Sequence, residues 1–188
     1  MLQNGDRFPI MNRAAFLDRD GVLNRSVLIN GVPKPPNSPS EVEILNGAKE
    51  AVQLLKNHGF VPVVLTNQPD VARGSKTTGE IEAINLHIAS ILEIEHFYTC
   101  FHDDLDLCSC RKPAPGLIIQ AAAELRLDIS CSILVGDRWR DIAAGQAVGC
   151  QSFFIDYKYP EIQPKLPYIK VKSLLEAAYI VTGELNGI

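Results

Sequence analysis

The chain is 188 residues long, with a formal net charge of −4 and a pI near 5.6. A net acidic chain without a basic run argues against a nucleic-acid or anionic-membrane partner, and no apolar run approaches the ~18 residues that a membrane span requires. At 46% hydrophobic and 21% charged residues the composition is that of an ordinary globule, and residues 1–188 are expected to form one domain that acts on a small molecule as a monomer. Met1 to Arg13 carries no signal-peptide pattern. A cytoplasmic location is therefore expected, where thiols stay reduced and clustered cysteines bind metal rather than pair.

Residues 1–13 read as an irregular lead-in. The apolar run Ala14 to Leu17 reads as a buried parallel strand. It delivers Asp18 and Asp20 to a strand's carboxyl end, where open α/β sheets bind ligands. Two nearby carboxylates repel unless a proton or a cation intervenes, and hard oxygen ligands beside a phosphate suit Mg²⁺. Gly21 allows a sharp turn there. The long connection at 25–46, with Pro33, Pro35, Pro36 and Pro39, is read as a flap or short hairpin beside Asp18.

From Gly47 the period changes, and Ala48, Ala51, Val52 and Leu55 mark an amphipathic helix ending at His58-Gly59. A second strand, Phe60 to Leu65, ends in Thr66-Asn67-Gln68, whose donors suit a phosphate without adding negative charge. Arg73 follows as a candidate anion contact. A helix from Thr78 to Glu93 and a strand from Phe97 to Phe101 continue a β-α alternation that implies a parallel sheet.

Cys100, His102, Cys108 and Cys110 then form the pattern C-x-H-x5-C-x-C, a tetrahedral zinc set that would hold a loop rigid; the alternative is a chance cluster of packed cysteines. Arg111 and Lys112 follow at a Pro-bounded loop end and suit a phosphate clamp. A helix runs from Gly116 to Arg126, and a fourth strand, Cys131 to Val135, ends in Gly136-Asp137. Asp137 is placed to complete the cation site. Asp141, in the next helix's first turn, is read as answering the helix dipole. Trp139 either covers the rim or packs. Cys131 and Cys150 are read as core. A fifth strand at 151–156, a Pro-containing surface segment at 157–168 and a helix at 173–182 close the chain.

Together, D-x-D-G-V-L-N at 18–24, T-N-Q at 66–68, R-K-P at 111–113 and V-G-D-x-x-x-D at 135–141 resemble the haloacid-dehalogenase-like phosphohydrolases. The C-x-H…C-x-C-R-K-P-x-P-G segment is similar to the branch holding histidinol phosphatases and heptose-bisphosphate phosphatases. The resemblance implies a Rossmann-like three-layer sandwich with a mainly parallel five-stranded sheet, a minimal cap and a zinc-stapled loop. It implies that Asp18 attacks phosphorus to form an aspartyl-phosphate and that Asp20 acts as general acid, then base. Mg²⁺ would be held by Asp18, the Asp20 backbone carbonyl and Asp137. Thr66 and Asn67 would bind the phosphoryl oxygens, Lys112 would neutralise their charge, and Arg111 would reach a second phosphate. Cys100, His102, Cys108 and Cys110 would hold Zn²⁺ structurally.

Two departures bear on the substrate: Pro69-Asp70 stands where a small Ser-Gly-like pair is usual, and the zinc spacer is only five residues. The implied substrate is the 7-phosphate of a D-glycero-D-manno-heptose 1,7-bisphosphate. Histidinol phosphate is the alternative, with Asp70 facing a cationic amine. A phospho-accepting receiver module is the third reading, which the paired Asp18 and Asp20 disfavour.

Overall fold

The computed structural model describes residues 12–29 and 31–184, so residues 1–11 of the expected lead-in lie outside the described residues. The first apolar run forms β1 (Arg13–Leu17), buried except at Arg13. Parallel partners flank it on both sides: β4 (Phe60–Asn67) pairs Leu17 with Val64, and β6 (Ile133–Gly136) pairs it with Val135. Outside these lie β5 (His96–Cys100) next to β4, and β7 (Gln151–Ile155) next to β6. The five expected strands are thus present. A sixth, β8 (Ile169–Val171), adds to β7, and the sheet order is β5-β4-β1-β6-β7-β8 with every pairing parallel. Three residues are too few for a period to show in the sequence.

The period-2 alternation of β1 splits its side chains between two cores. Ala15 and Leu17 pack with α1 (Ala48–Asn57), α2 (Thr78–Leu92) and α5 (Leu174–Thr182), through residues such as Leu55, Ile84, Ile88 and Leu174. Ala14 and Phe16 face α3 (Gly116–Leu125) and α4 (Trp139–Ala147), through Leu117, Ile118 and Ile142. Helices on both faces of a parallel sheet make the three-layer sandwich. The long connection after β1 contains an antiparallel hairpin, β2 (Val27–Ile29) and β3 (Val32–Lys34).

One core expectation is corrected. Cys131 is exposed, because it ends a 3₁₀ turn at Ile129–Cys131 and the strand begins only at Ile133. Cys150 is buried as expected.

Candidate active site

Two of the inner carboxylates, Asp18 and Asp137, leave strands at their carboxyl ends. Asp18 follows β1, and its backbone N–H donates to the Val135 carbonyl at 3.0 Å, tying it to β6. Asp137 follows β6, and Asp141 sits in the first turn of α4. Lys112 reaches in from the loop before α3. Its Nζ lies 2.5 Å from Asp18 Oδ1 and 2.6 Å from Asp141 Oδ1, and donates to the Leu65 carbonyl at 2.7 Å. Burial disfavours the ammonium, but Asp141 and Asp18 outweigh it and hold the Lys112 pKa above its ordinary value.

The three carboxylates bring oxygens within 4.8 Å of one another, against that single lysine. Asp137 is the least compensated of the three: it is 1% accessible, and neither of its side-chain oxygens has a hydrogen-bond partner. Burial, then Asp18 and Asp141, raise its pKa well above the ordinary carboxylate range. The Tyr159 phenol lies close enough to oppose that rise, without the geometry of a hydrogen bond to either oxygen. Asp18 is raised to about 7, by burial first; Lys112 pulls it down, and Asp141 and Asp20 push it up. Gly21, at φ +92°, gives the room: a Cβ there would stand 2.0 Å from Asp137 Oδ2.

This donor set fits a divalent cation. Buried, unpartnered carboxylate oxygens beside like charges need compensation, and hard oxygen ligands suit Mg²⁺. Asp137 offers both oxygens and Asp18 its Oδ2. Asp141 has both engaged, Oδ1 by Lys112 and Oδ2 by the Arg138 N–H at 2.9 Å. Asp141 thus stands in the helix's first turn, as read for the dipole, and there it also caps the Arg138 N–H and holds Lys112.

Asp20 points elsewhere. Arg19, wholly buried, forks onto it, with Nη2 to Oδ2 at 2.8 Å and Nε to both oxygens at 3.2 Å. Arg19 Nη1 in turn donates to Asn85 Oδ1 on α2 at 2.8 Å. Asn24 Nδ2 reaches Asp20 Oδ1 at 3.0 Å, and Gln68 Nε2 reaches Oδ2 at 3.0 Å and Thr66 Oγ1 at 2.8 Å. Asp20 is thereby fixed beside Asp18 by three side chains. Asn67 uses its amide on Lys112 itself, donating to its carbonyl at 3.0 Å and accepting from its N–H at 3.1 Å.

A cleft of about 240 Å³ opens above these groups, bordered by Val32 to Pro35 of the hairpin and by Arg73, Arg111, Arg138 and Arg140. Arg73 is taken up by Asp103, at 2.6 and 2.8 Å, with Asp70 at 3.7 Å. Arg111 binds Asp104 at 2.8 Å, and Arg138 forks onto Glu161.

Cys100, His102, Cys108 and Cys110 converge as their spacing predicts. Sulfur–sulfur distances are 3.2, 3.4 and 3.7 Å, and His102 Nδ1 stands 3.6 Å from Cys100 Sγ and 3.3 Å from Cys110 Sγ. Ligands about 2.3 Å from a tetrahedral zinc are separated by roughly 3.8 Å, so a small outward relaxation admits the ion. Burial raises the Cys100 and Cys110 thiols. Cys108 is lowered against its own burial by hydrogen bonds from Cys110 and the Arg111 backbone. The loop packs tightly under α3, where a Cβ on Gly116 would meet the Ser109 carbonyl at 2.2 Å.

The sequence-derived residues Asp18, Asp20, Thr66, Asn67, Gln68, Arg73, Arg111, Lys112 and Asp137 thus all border one cleft. Arg19, Asn24 and Asn85 were missed. An arginine between two aspartates reads as solvated, and only its partner 66 residues on reveals its burial.

A parallel sheet with this carboxylate–lysine cluster at its carboxyl edge defines a hydrolase class. The chain belongs to the haloacid dehalogenase-like hydrolases, whose family model matches residues 37–149. Among curated relatives, it is 33% identical over 147 residues to the D-glycero-beta-D-manno-heptose-1,7-bisphosphate 7-phosphatase of Pasteurella multocida, covering 72% of this chain and 77% of the relative. It is 31% identical over 189 residues to the enzyme of the same name from Haemophilus influenzae, covering 95% of this chain and 89% of the relative. Among solved structures, D,D-heptose 1,7-bisphosphate phosphatase from B. bronchiseptica, complexed with magnesium and phosphate, matches with a TM-score of 0.79 at 26% identity, over 92% of this chain and 99% of that one.

Proposed function

We propose that the chain is a Mg²⁺-dependent phosphatase that removes the 7-phosphate of a D-glycero-D-manno-heptose 1,7-bisphosphate through an aspartyl-phosphate on Asp18. The observation that carries the reading is Lys112 Nζ bridging Asp18 and Asp141, with the two orphaned oxygens of Asp137 alongside. Asp18 and Asp137 would hold Mg²⁺, which when bound supplies charge that screens an anionic nucleophile from an anionic substrate.

The chain's own residues account for the rest. Lys112 keeps Asp18 Oδ1 oriented and lends positive charge to the phosphoryl oxygens as they gain charge. With Oδ2 offered to the cation, Asp18 Oδ1, oriented by Lys112, is the oxygen that attacks phosphorus. Asp20 protonates the leaving sugar oxygen and then takes a proton from the water that hydrolyses the aspartyl ester. Its fixed position serves both steps, since Arg19, Asn24 and Gln68 hold it by hydrogen bonds. Thr66 borders the same cleft, while Asn67 serves by fixing Lys112. Zn²⁺ on Cys100, His102, Cys108 and Cys110 would hold the loop that carries Arg111 and Lys112. Asp70 Oδ1 stands 3.7 Å from Arg73, so part of its charge is answered before any cationic amine arrives, which favours the heptose substrate over histidinol phosphate.

The test is phosphate release by purified protein with Mg²⁺, compared across heptose 1,7-bisphosphate, fructose 1,6-bisphosphate and histidinol phosphate. The heptose compound should have the highest kcat/KM. A clear preference for histidinol phosphate would overturn the substrate, and release from none of the three would overturn the phosphatase reading.

A further inference from the structure

We propose that Asn85, on α2 and outside the cleft, is a positioning residue for Asp20, acting through the buried guanidinium of Arg19. This deepens the phosphatase reading and rests on it. The apolar stripe of α2 is Ile81, Ile84, Ile88 and Leu92, and Asn85 stands within it, 7% exposed. Another isoleucine there would pack with no polar group to satisfy, whereas a buried amide without partners costs about 1–3 kcal/mol. Both ends of this amide are used. Oδ1 accepts from Arg19 Nη1 at 2.8 Å, and Nδ2 donates to Thr99 Oγ1 on β5 at 3.2 Å. An arginine only donates, so the oxygen must face it. Thr99 is itself set by its pairing with Thr66 in the sheet. The amide is thus rooted in a helix and a strand, apart from the loop that carries Asp20.

The donors of Arg19 divide between two partners. Nε and Nη2 go to Asp20, and Nη1 goes to Asn85, its only hydrogen-bond partner among the described residues. The neighbouring nucleophile takes a different cation, since Asp18 pairs with Lys112. A planar fork gripped on its outer nitrogen cannot pivot, and the carboxyl plane that it holds is fixed with it. Released at Nη1, the guanidinium keeps its attraction to Asp20 but loses the bond that sets its angle. Neither Arg19 nor Asn85 borders the cleft, so Asn85 reaches the chemistry only through Asp20. Its effect therefore falls on what Asp20 does. In the first step the bond from phosphorus to the sugar oxygen breaks, and Asp20 supplies the proton that this oxygen needs as it leaves. A leaving group that is stable as an anion needs no such proton. Disturbing Asn85 should slow substrates that release an alkoxide and spare those that release a stabilised phenolate.

The experiment measures kcat/KM of the full chain with Mg²⁺ on heptose 1,7-bisphosphate and on p-nitrophenyl phosphate, because kcat/KM covers the steps up to departure of the leaving group. Asn85→Leu should lower it for the heptose compound by about 10–100-fold, the scale of a misplaced catalytic group. For p-nitrophenyl phosphate the fall should stay under about threefold. Asp20→Asn should show the same contrast, enlarged. Asn85→Asp keeps an acceptor for Nη1 and should return part of the loss, and Thr99→Val, which frees only the far end of the amide, should show a smaller contrast. Thermal melting confirms that each variant is folded. Equal losses on the two substrates in Asn85→Leu, or a heptose loss under about twofold, overturn the inference. Equal losses in Asp20→Asn overturn the general-acid role and the inference with it. Wild type that hydrolyses neither compound overturns the phosphatase reading instead.

Discussion

Asp137→Asn should make the Mg²⁺-free protein more stable while removing its response to Mg²⁺. Three carboxylates share one lysine, and both Asp137 oxygens lack partners. Unit charges 4.8 Å apart interact by about 3.5 kcal/mol at an effective dielectric near 20. Asp18 and Asp141 repel Asp137 and Lys112 attracts it, so roughly one such repulsion, about 3 kcal/mol, stays uncompensated. An asparagine of the same shape removes it but must still bury an amide. The net gain should be about 1–3 kcal/mol near pH 8, or a Tm rise of about 3–10 °C for a chain of this length. The sign with pH follows from the raised Asp137 pKa. The folded wild type already holds its proton in acid, so the gain should shrink as the pH falls toward about 4.

The assay is thermal unfolding after dialysis against Mg²⁺-free buffer, avoiding chelators that strip thiolate-bound metal, then repeated with Mg²⁺. Saturating Mg²⁺ at a hundredfold over Kd should stabilise wild type by about 2.7 kcal/mol and the variant by far less. A variant that melts below wild type without Mg²⁺, or that gains as much from the ion, would refute the reasoning.

Three further outcomes are expected. Because Asp18 is raised to about 7, its contribution to Mg²⁺-free stability is complete below about pH 4 and lost as the pH rises through about 7. That loss amounts to at most about 4 kcal/mol, and Mg²⁺ should flatten it; denaturant titrations with superimposable pH profiles with and without the ion would contradict this. Metal analysis should find about one zinc per chain, and Cys108→Ser should lower it sharply; a metal-free wild type would remove the staple from the account. Arg19→Met leaves Asp20 without its fork and should cost about 3–5 kcal/mol in urea unfolding; a loss under about 1 kcal/mol would show that the buried ion pair matters little.

How much of this was legible in the sequence depended on range. Asp18, Thr66 and Asp137 stood out because each follows an apolar run, and in a parallel sheet such runs end on one edge. The Cys/His cluster was legible because its four residues lie within eleven positions. What stayed hidden was the choice of partner. Arg73 was expected to meet an anion from outside, but it meets Asp103, 30 residues on. Asn67 was expected at the phosphate; it borders the cleft, and its grip on the Lys112 backbone was not foreseen. Asp141 was read as answering a helix dipole, and its bond to Lys112 depends on where another loop lands. Cys131 preceded an apolar run and was read inward, yet a single 3₁₀ turn carries it to the surface.

The measurement closest to the centre of the account is acid-quenched mass spectrometry of the protein caught during turnover of heptose 1,7-bisphosphate. Asp20→Asn should slow breakdown of the ester, so that the peptide containing Asp18 accumulates one phosphoryl group on that side chain. In Asp18→Asn the adduct should be absent and phosphate release should stop, with the fold intact. An adduct on any other residue, or undiminished phosphate release by Asp18→Asn, would contradict the account.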